Sequence, residues 1–359
     1  MKKRRKSGSI LVFVLALIVL LSVLCMRLME ETMQELRHVS QFHRRDDLRM
    51  HAYSALDVAV GVLNEFMMFE KTLYAPSQGW GDPLAYSEIE PIDPSIKWSI
   101  SLVDESGKIP ISKVSEKDLV SLFATMRAEG DSLIDDDDGQ AFYDAMVDWQ
   151  DPDDEERDEG AEDDYYEGLD FPYFTPGKKI QNFEEFRMIK GFAYEPDNPE
   201  DSGLFFDEVG SENQNMRNFR DSFSFFHEGP VNINTASSFL VRFLCGDDDN
   251  LYEEVYGGPS QTSGEPFFRN MNDPRLVQMR QNRSISTSTM ASAFRILVEV
   301  TKGKGNFQLH AILVRTDGTQ SQTNRKVGQN PGKPRSPQNV KMKYPFRVLS
   351  IRENENLVD

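Results

Sequence analysis

The sequence predicts an α+β protein: a long N-terminal helix, a small antiparallel sheet, and a large helical region inserted after the sheet's first strand. Three observations carry this reading. An uncharged, mostly apolar run from Ile10 to Met26 passes without a proline into an amphipathic stretch that reaches Phe69. Strand chemistry appears at 96–103, vanishes for about 190 residues, and returns at 294. The intervening segments carry helical patterns, and distant segments commonly complete antiparallel sheets.

The chain opens "MKKRRKSGS", with Lys2, Lys3, Arg4, Arg5 and Lys6 ahead of Gly8 and Ser9. The run Ile10–Met26 makes about 25 Å of helix, enough to span a bilayer core with snorkelling flanks. The basic cluster predicts a cytoplasmic N-terminus, with the remainder on the other side of the membrane. A secretory signal would need small residues after the apolar run, and "CMRLMEE" does not supply them. Leu24 is likewise too bulky to precede a lipoprotein cysteine at Cys25. A cut between Gly8 and Ser9 would trim the basic leader and keep the helix. That arrangement resembles the leaders of type IV prepilins and type II secretion pseudopilins. A plain anchor followed by a coiled-coil stalk fits this segment equally well.

Between Arg27 and Phe69 there is no proline, and Gly61 is the only glycine. Apolar residues recur at Met29, Met33, Leu36 and Val39, then at Leu48, Ala52, Leu56, Val60 and Leu63. These are the three- and four-residue steps of an amphipathic helix. The breaker cluster "APSQGWGDP" ends it. Ile96, Trp98, Ile100 and Leu102 then alternate with polar residues, as a strand with one buried face does.

Helices are expected over 115–130, with Leu119, Leu122, Phe123 and Met126 on one face, and over 139–149, with Phe142, Met146 and Trp149. A third is expected over 181–191, closed by Gly191, and a fourth over 234–246, capped by Asn234 or Thr235. A hairpin covers 293–316, a further strand 343–351, and residues 317–341 read as a loop. The expected division is a leader at 1–8, a membrane segment at 9–26 and a spine helix at 27–74. The sheet takes 95–103 and 291–351, and the insert 104–290, with parts meeting at 230/231.

The formal charge is −19, or −24 without the five leading basic residues (−19 minus 5). Such a chain repels nucleic acid and anionic surfaces and attracts cations. Cys25 and Cys245 lie in an apolar run and a distant polar part, so no internal disulfide is expected. Residues 135–170 hold eighteen Asp or Glu and a single Arg, Arg157. Like-charge blocks are ordinarily solvated loops. This one has Trp149, Tyr165 and Tyr166 at its rims, which would pin it, and hard oxygen ligands in such density suit Ca²⁺.

It is no EF-hand. Asp151, Asp153, Glu155 and Glu162 fit positions 1, 3, 5 and 12 of that loop, but Glu156 stands where glycine must make the turn. "DDDDG" at 135–139 fails too, since its register puts Ile134 first. The expectation is an irregular calcium loop, with Asp151, Asp153, Asp154, Glu155, Glu162, Asp163 and Asp164 as candidate ligands. Zinc is unsuited, because no His or Cys lies nearby.

Taken in order, the Gly8/Ser9 junction, "DESGKIPIS", "MVDWQDPDD", "GAEDDYY", "FEEFRMIKG" and "VNINTAS" resemble one family, the K-type minor pseudopilin of the type II secretion system. The resemblance implies a pilin-like fold whose inserted α-domain contains two SAM-like or helix-hairpin-helix-like parts, with Ca²⁺ in the acidic loop. It implies cleavage after Gly8 and methylation of Ser9 by the prepilin peptidase. It further implies a single-pass inner-membrane protein with a periplasmic body, working with an inner-membrane assembly platform. In that role it stands with other minor pseudopilins at the tip of the pseudopilus, starting assembly and limiting growth.

Most pilins carry Glu at the fifth mature position, where it pairs with a neighbour's amine. Here that position is Phe13, as in the K-type, and a tip subunit without a neighbour above would leave such a carboxylate unpaired in lipid. The sequence departs from the family's usual pattern in its 317–341 region and its extra acids at 135–138 and 247–249.

Other functions fit less well. "VNINTAS" resembles the start of a helix-hairpin-helix module, but "CGDDDN" would turn three acids toward the phosphates, so no nucleic-acid partner is expected. His38, His43, His51, His227 and His310 pair with no nucleophile motif, and no catalytic residue is expected. A minor pilin of a type IV pilus-like system shares the leader and spine, whereas the inserted domain favours secretion.

Overall fold

The computed structural model describes residues 8–127, 136–198, 202–246, 248–259, 265–316 and 345–354. The leader residues before Gly8 and the 317–341 loop lie outside the described residues. Helix α1 is one rod, Gly8–Phe69. Its stretch Val12–Gln34 is long and apolar enough to cross a membrane and is not buried against the rest of the protein. Further along, Leu48, Ala52, Ala55, Leu56, Ala59 and Leu63 are buried, and the alanines let the helix lie close on the sheet. Met29 and Met33, expected on the same stripe, are exposed. The described sheet meets the helix as far as Asp47, which lies 3.1 Å from Lys302 at the end of β6, short of Met29 and Met33.

After a short helix α2 (Pro83–Ser87) comes strand β1 (Ile96–Asp104), then a two-residue strand β2 (Ile109–Pro110). Helices α3 (Glu116–Arg127), α4 (Asp136–Asp148) and α5 (Asp163–Glu167) follow, then helix α6 (Gln214–Ser222). Short strands β3 (Phe223–Ser224) and β4 (Val231–Asn232) come next. Helices α7 (Ser238–Cys245), α8 (Asp249–Tyr256) and α9 (Pro274–Met279) and strand β5 (Thr287–Ser288) close the helical region. Strands β6 (Ala293–Lys302), β7 (Gly305–Arg315) and β8 (Phe346–Glu353) follow.

The main sheet has the order β1-β6-β7-β8, antiparallel throughout, with Asp104 opposite Phe294 and Ile96 opposite Lys302. Its inner face carries Ile296, Val298, Val300, Leu309, Ala311 and Leu313 onto α1, with Trp80 standing edge-on to Phe294. The fold is thus α+β, with a helical insert. A second core fills the insert around a phenylalanine cluster, Phe123, Phe186, Phe192, Phe205 and Phe219, whose neighbouring ring centroids lie 4.8 to 6.3 Å apart. Edge-to-face and offset rings at these separations add to the burial gain.

Two expected helices change. The segment over 181–191 forms a 3-10 helix at Phe183–Met188, capped by the Asn182 side chain, because Phe183 and Phe186 both turn into the core. Helix α7 begins at Ser238, and Ser237 is its cap, accepting from Leu240 N at 3.2 Å. Asn234 is used elsewhere: its side chain donates to Phe268 O and Thr289 O and accepts from Phe268 N at 2.7 Å.

The insert is held to the sheet by a knot of buried polar side chains. Asp104 accepts from Ser106 N and Oγ on one oxygen, and from Asn232 Nδ2 and Thr235 Oγ1 at 2.7 Å on the other. Glu105 accepts from Arg295 Nε at 2.6 Å and Ser224 Oγ at 2.8 Å, with Lys108 Nζ at 3.6 Å. Burial pushes Asp104 above the ordinary carboxyl range, and its four hydrogen bonds oppose that. Burial also pushes Glu105 up, but Lys108, Arg295 and the Ser224 hydroxyl together hold it below the ordinary range. Gly107 is required here, since a Cβ would stand 2.6 Å from Thr235 Oγ1. The sequence stretches "DESG" and "NINT" are the two halves of this knot.

Candidate metal centre

Helix α4 ends at Asp148, and one further tightened turn follows it: the amides of Gln150 and Asp151 both donate to Val147 O. This puts Asp151 one turn on from Asp148, on the same face. The loop then returns, and Glu162, leading into α5, faces both. One carboxylate oxygen from each of Asp148, Asp151 and Glu162 lies within 4.8 Å of the others.

Asp148 is fully buried. Its Oδ2 accepts from Arg157 N at 3.1 Å and Ala161 N at 3.0 Å, which fixes the carboxylate. Its Oδ1 has no hydrogen bond, only the Arg157 guanidinium at 3.5 Å. Gly160 makes room: a Cβ there would stand 1.8 Å from Asp148 Oδ2. Both Glu162 oxygens are buried without a hydrogen-bond partner, as is Asp151 Oδ1.

Three carboxylates at this spacing repel one another by roughly 3 kcal/mol per pair at an effective dielectric near 20. The titration follows from that. Burial, then the charges of Asp148, Asp151, Asp154 and Asp163, push Glu162 up to about 7. Burial raises Asp148, and burial with the neighbouring Asp153 raises Asp151. A buried carboxylate oxygen with no donor is costly unless a cation meets it. The donor set is all oxygen, which fits Ca²⁺ rather than a soft or borderline metal.

An aromatic wall keeps the loop in place. Trp149 packs edge-on against Tyr166 at 5.3 Å, Tyr166 hydroxyl accepts from Lys190 N, and Lys190 Nζ donates to Gly160 O at 2.8 Å. Tyr173 covers Trp149 and Tyr166 and donates to Met188 O at 2.7 Å. The residues of the expected aromatic rims are therefore structural parts of the centre.

Of the candidate ligands read from the sequence, Asp151 and Glu162 meet in the centre. Asp153, Asp154, Glu155 and Asp164 are exposed, with Asp153 Oδ1 accepting from Glu155 N at 3.1 Å. Asp163 is engaged otherwise, accepting from Thr175 N at 2.8 Å and Thr175 Oγ1 at 2.9 Å. Asp148 was not among the candidates. Its signal was available: an acidic residue on the otherwise apolar end of α4, with a glycine at 160 to admit it. At the other expected site, Gly8 is the first residue of α1, directly followed by Ser9.

Residues 102–196 match the family described as type II secretion system (T2SS), protein K. The match spans the end of β1 and the whole candidate centre. No curated protein sequence matches the chain. Among solved structures, the fold is similar to a chain of the GspK-GspI-GspJ complex from the type 2 secretion system of enterotoxigenic Escherichia coli. The TM-score is 0.54 at 13% identity, covering 89% of this chain and 99% of that one.

Proposed function

We propose that this chain, a K-type minor pseudopilin of a type II secretion system, forms the tip of the pseudopilus, starts its assembly and limits its length. The observation that carries this is where the insert sits. The β6–β7 turn packs beside Leu48, at the membrane end of the covered helix, while Ala291 N donates to Leu73 O beyond the helix's far end. The insert joins the sheet at Asp104 and Ala293, the end of the sheet that lies farthest from Leu48 and nearest the distal end of α1. Subunits of a filament stack along such helices, and a subunit placed above this one would meet the insert. Phe13, in place of a carboxylate, fits a position with no neighbour above.

Its partners on this reading are other minor pseudopilins, the class of protein named in the similar complex, together with the prepilin peptidase, the inner-membrane assembly platform and the lipid bilayer. The body is periplasmic. Asp148, Asp151 and Glu162 would hold one structural Ca²⁺, which supplies the positive charge that these buried oxygens lack.

Electron microscopy of pseudopili tests the tip role. Antibody label against the insert should mark one end only, and label along the filament would overturn it. Mass spectrometry of the membrane-extracted protein should find an N-terminus at methylated Ser9. Replacing Gly8 with a bulky residue should leave an uncut precursor held in the membrane. Normal processing of that variant removes the leader assignment.

A further inference from the structure

Among the described residues, the main sheet ends at the edge strand β8, and that edge borders a groove. Among the described residues, β8 pairs with β7 alone. Thr316 N donates to Pro345 O at one end of their ladder, and Asn354 N donates to Gln308 O at the other. Antiparallel ladders alternate. Counting in from both ends to the irregularity at Ile312/Leu313 turns the amides of Arg347, Ser350 and Arg352 toward β7. The amides of Val348 and Ile351 then face the open side.

Beside this edge lies a cavity of about 990 Å³ between sheet and insert. Arg347, Leu349 and Arg315 line it from the sheet, and Lys179, Phe225 and His227 from the insert. His227 is buried, bonded through Nε2 to Lys108 O at 2.9 Å, and its Nδ1 has no partner. Among the described residues, Arg347 and Lys179 line the groove beside the carboxylate of Glu228, which Lys113 holds at 3.5 Å. In a chain of net charge −19 this is a local reversal of sign.

We propose that β8 and this groove accept an extended, acidic segment of a partner protein as a fifth strand. A strand is the form that satisfies a row of outward amides and carbonyls, and alternate side chains then read the groove. Acidic side chains on the outer face meet Arg347 and Lys179, while apolar ones rest on Phe225 and Leu349. The edge arginines, which in an isolated sheet guard against promiscuous pairing, here make the pairing selective. Edge-to-edge pairing of two copies would set arginines against arginines, so the occupant is a different chain. The groove shares the end of α4 with the metal centre, through Val147 and Gln150, but none of Asp148, Asp151 and Glu162 lines it.

The test uses the full chain in detergent and two fluorescein-labelled peptides of the length of β8, one alternating valine with glutamate and one alternating valine with lysine. The acidic peptide should bind saturably and at least about tenfold tighter than the basic one, and Arg347→Glu should reverse that preference. Hydrogen exchange at Val348 and Ile351 should slow at least about tenfold at saturation, with Val348→Pro removing the effect. Equal binding of both peptides, no binding at millimolar concentration, or unchanged exchange at the two amides would overturn the proposal. So would light scattering that shows a dimer whose β8 amides are already protected without peptide. Arg347 is exposed, so its variant leaves the fold intact even if the proline does not.

Discussion

Two groups of buried carboxylates lie in this protein, and they are built on opposite plans. In the knot at the root of the insert, Asp104 and Glu105 are surrounded by donors, and Arg295 and Lys108 bring charge to match. In the loop after α4, Asp148, Asp151 and Glu162 converge with four carboxylate oxygens lacking any hydrogen bond and with one half-exposed arginine nearby. The first group is complete as it stands and serves architecture. The second, on the function proposed above, is completed by a cation. The number of acids does not separate the two, since both are rich in them. The partners of each oxygen do.

The largest way to break this comparison is to damage the complete site. Glu105→Ala leaves Arg295 and Lys108 facing a buried void, and should cost about 3–5 kcal/mol in denaturant unfolding, with or without calcium. Gly160→Ala should match it in severity through the 1.8 Å approach to Asp148. That loss should persist when calcium is added, because the ligand itself is displaced.

Next in size is the cation. Calcium at 100 times its dissociation constant should raise stability by roughly 2.7 kcal/mol, and EGTA should take that away, read as a shift in Tm. Glu162→Gln should abolish the calcium shift while raising the Tm measured in EGTA, because it removes a repelled charge. An Asp104→Asn variant, losing an acceptor of two side-chain donors, should fall in both conditions. Identical responses of the two variants would erase the distinction between the sites.

Glu105 and Glu162 predict opposite pH dependence. Glu105 is held below its ordinary range when folded, so its contribution is present above the unfolded pKa and is lost as pH falls through the folded value. Glu162 is raised to about 7, so the metal-free fold binds its proton more tightly than the unfolded chain does. In EGTA, stability from this group therefore falls as pH rises from the ordinary carboxyl range through 7, and Glu162→Gln should flatten that slope. With calcium the sense reverses: binding displaces the proton, so affinity should weaken by up to about tenfold per pH unit below 7. Calorimetry at three pH values checks both signs. The smallest effect sharpens the boundary of the centre. Asp153→Asn with Glu155→Gln changes exposed, screened charges, and should alter calcium affinity by less than about threefold.

Where the chain's local pattern agrees with its packing, the sequence was enough. The alternation at Ile96, Trp98, Ile100 and Leu102 and the run through β6 and β7 mark their strands, and the long proline-free stretch marks α1. Local pattern misleads where a side chain is recruited from a distance. Asn234 looks like a helix cap until it is seen bonded to Phe268 and Thr289, leaving Ser237 to cap α7. Phe183 and Phe186, three apart, read as a helix face, yet satisfy the core from a tighter coil. In the acidic loop, composition makes every carboxylate look alike. Only the turn after Val147 and the gap at Gly160 select Asp148, and neither is visible as charge.

The position of the insert has a consequence for how the chain acquires its shape. Glu105 and Arg295 are 190 residues apart in sequence, and β1 has no neighbour in the sheet until β6 exists. The sheet is thus a high-contact-order structure whose loop-closure cost falls when the intervening residues have already collapsed around their own core. The insert should therefore fold ahead of the sheet, drawing Asp104 and Ala293 together. In refolding kinetics, the phenylalanine cluster should gain protection before β1 does.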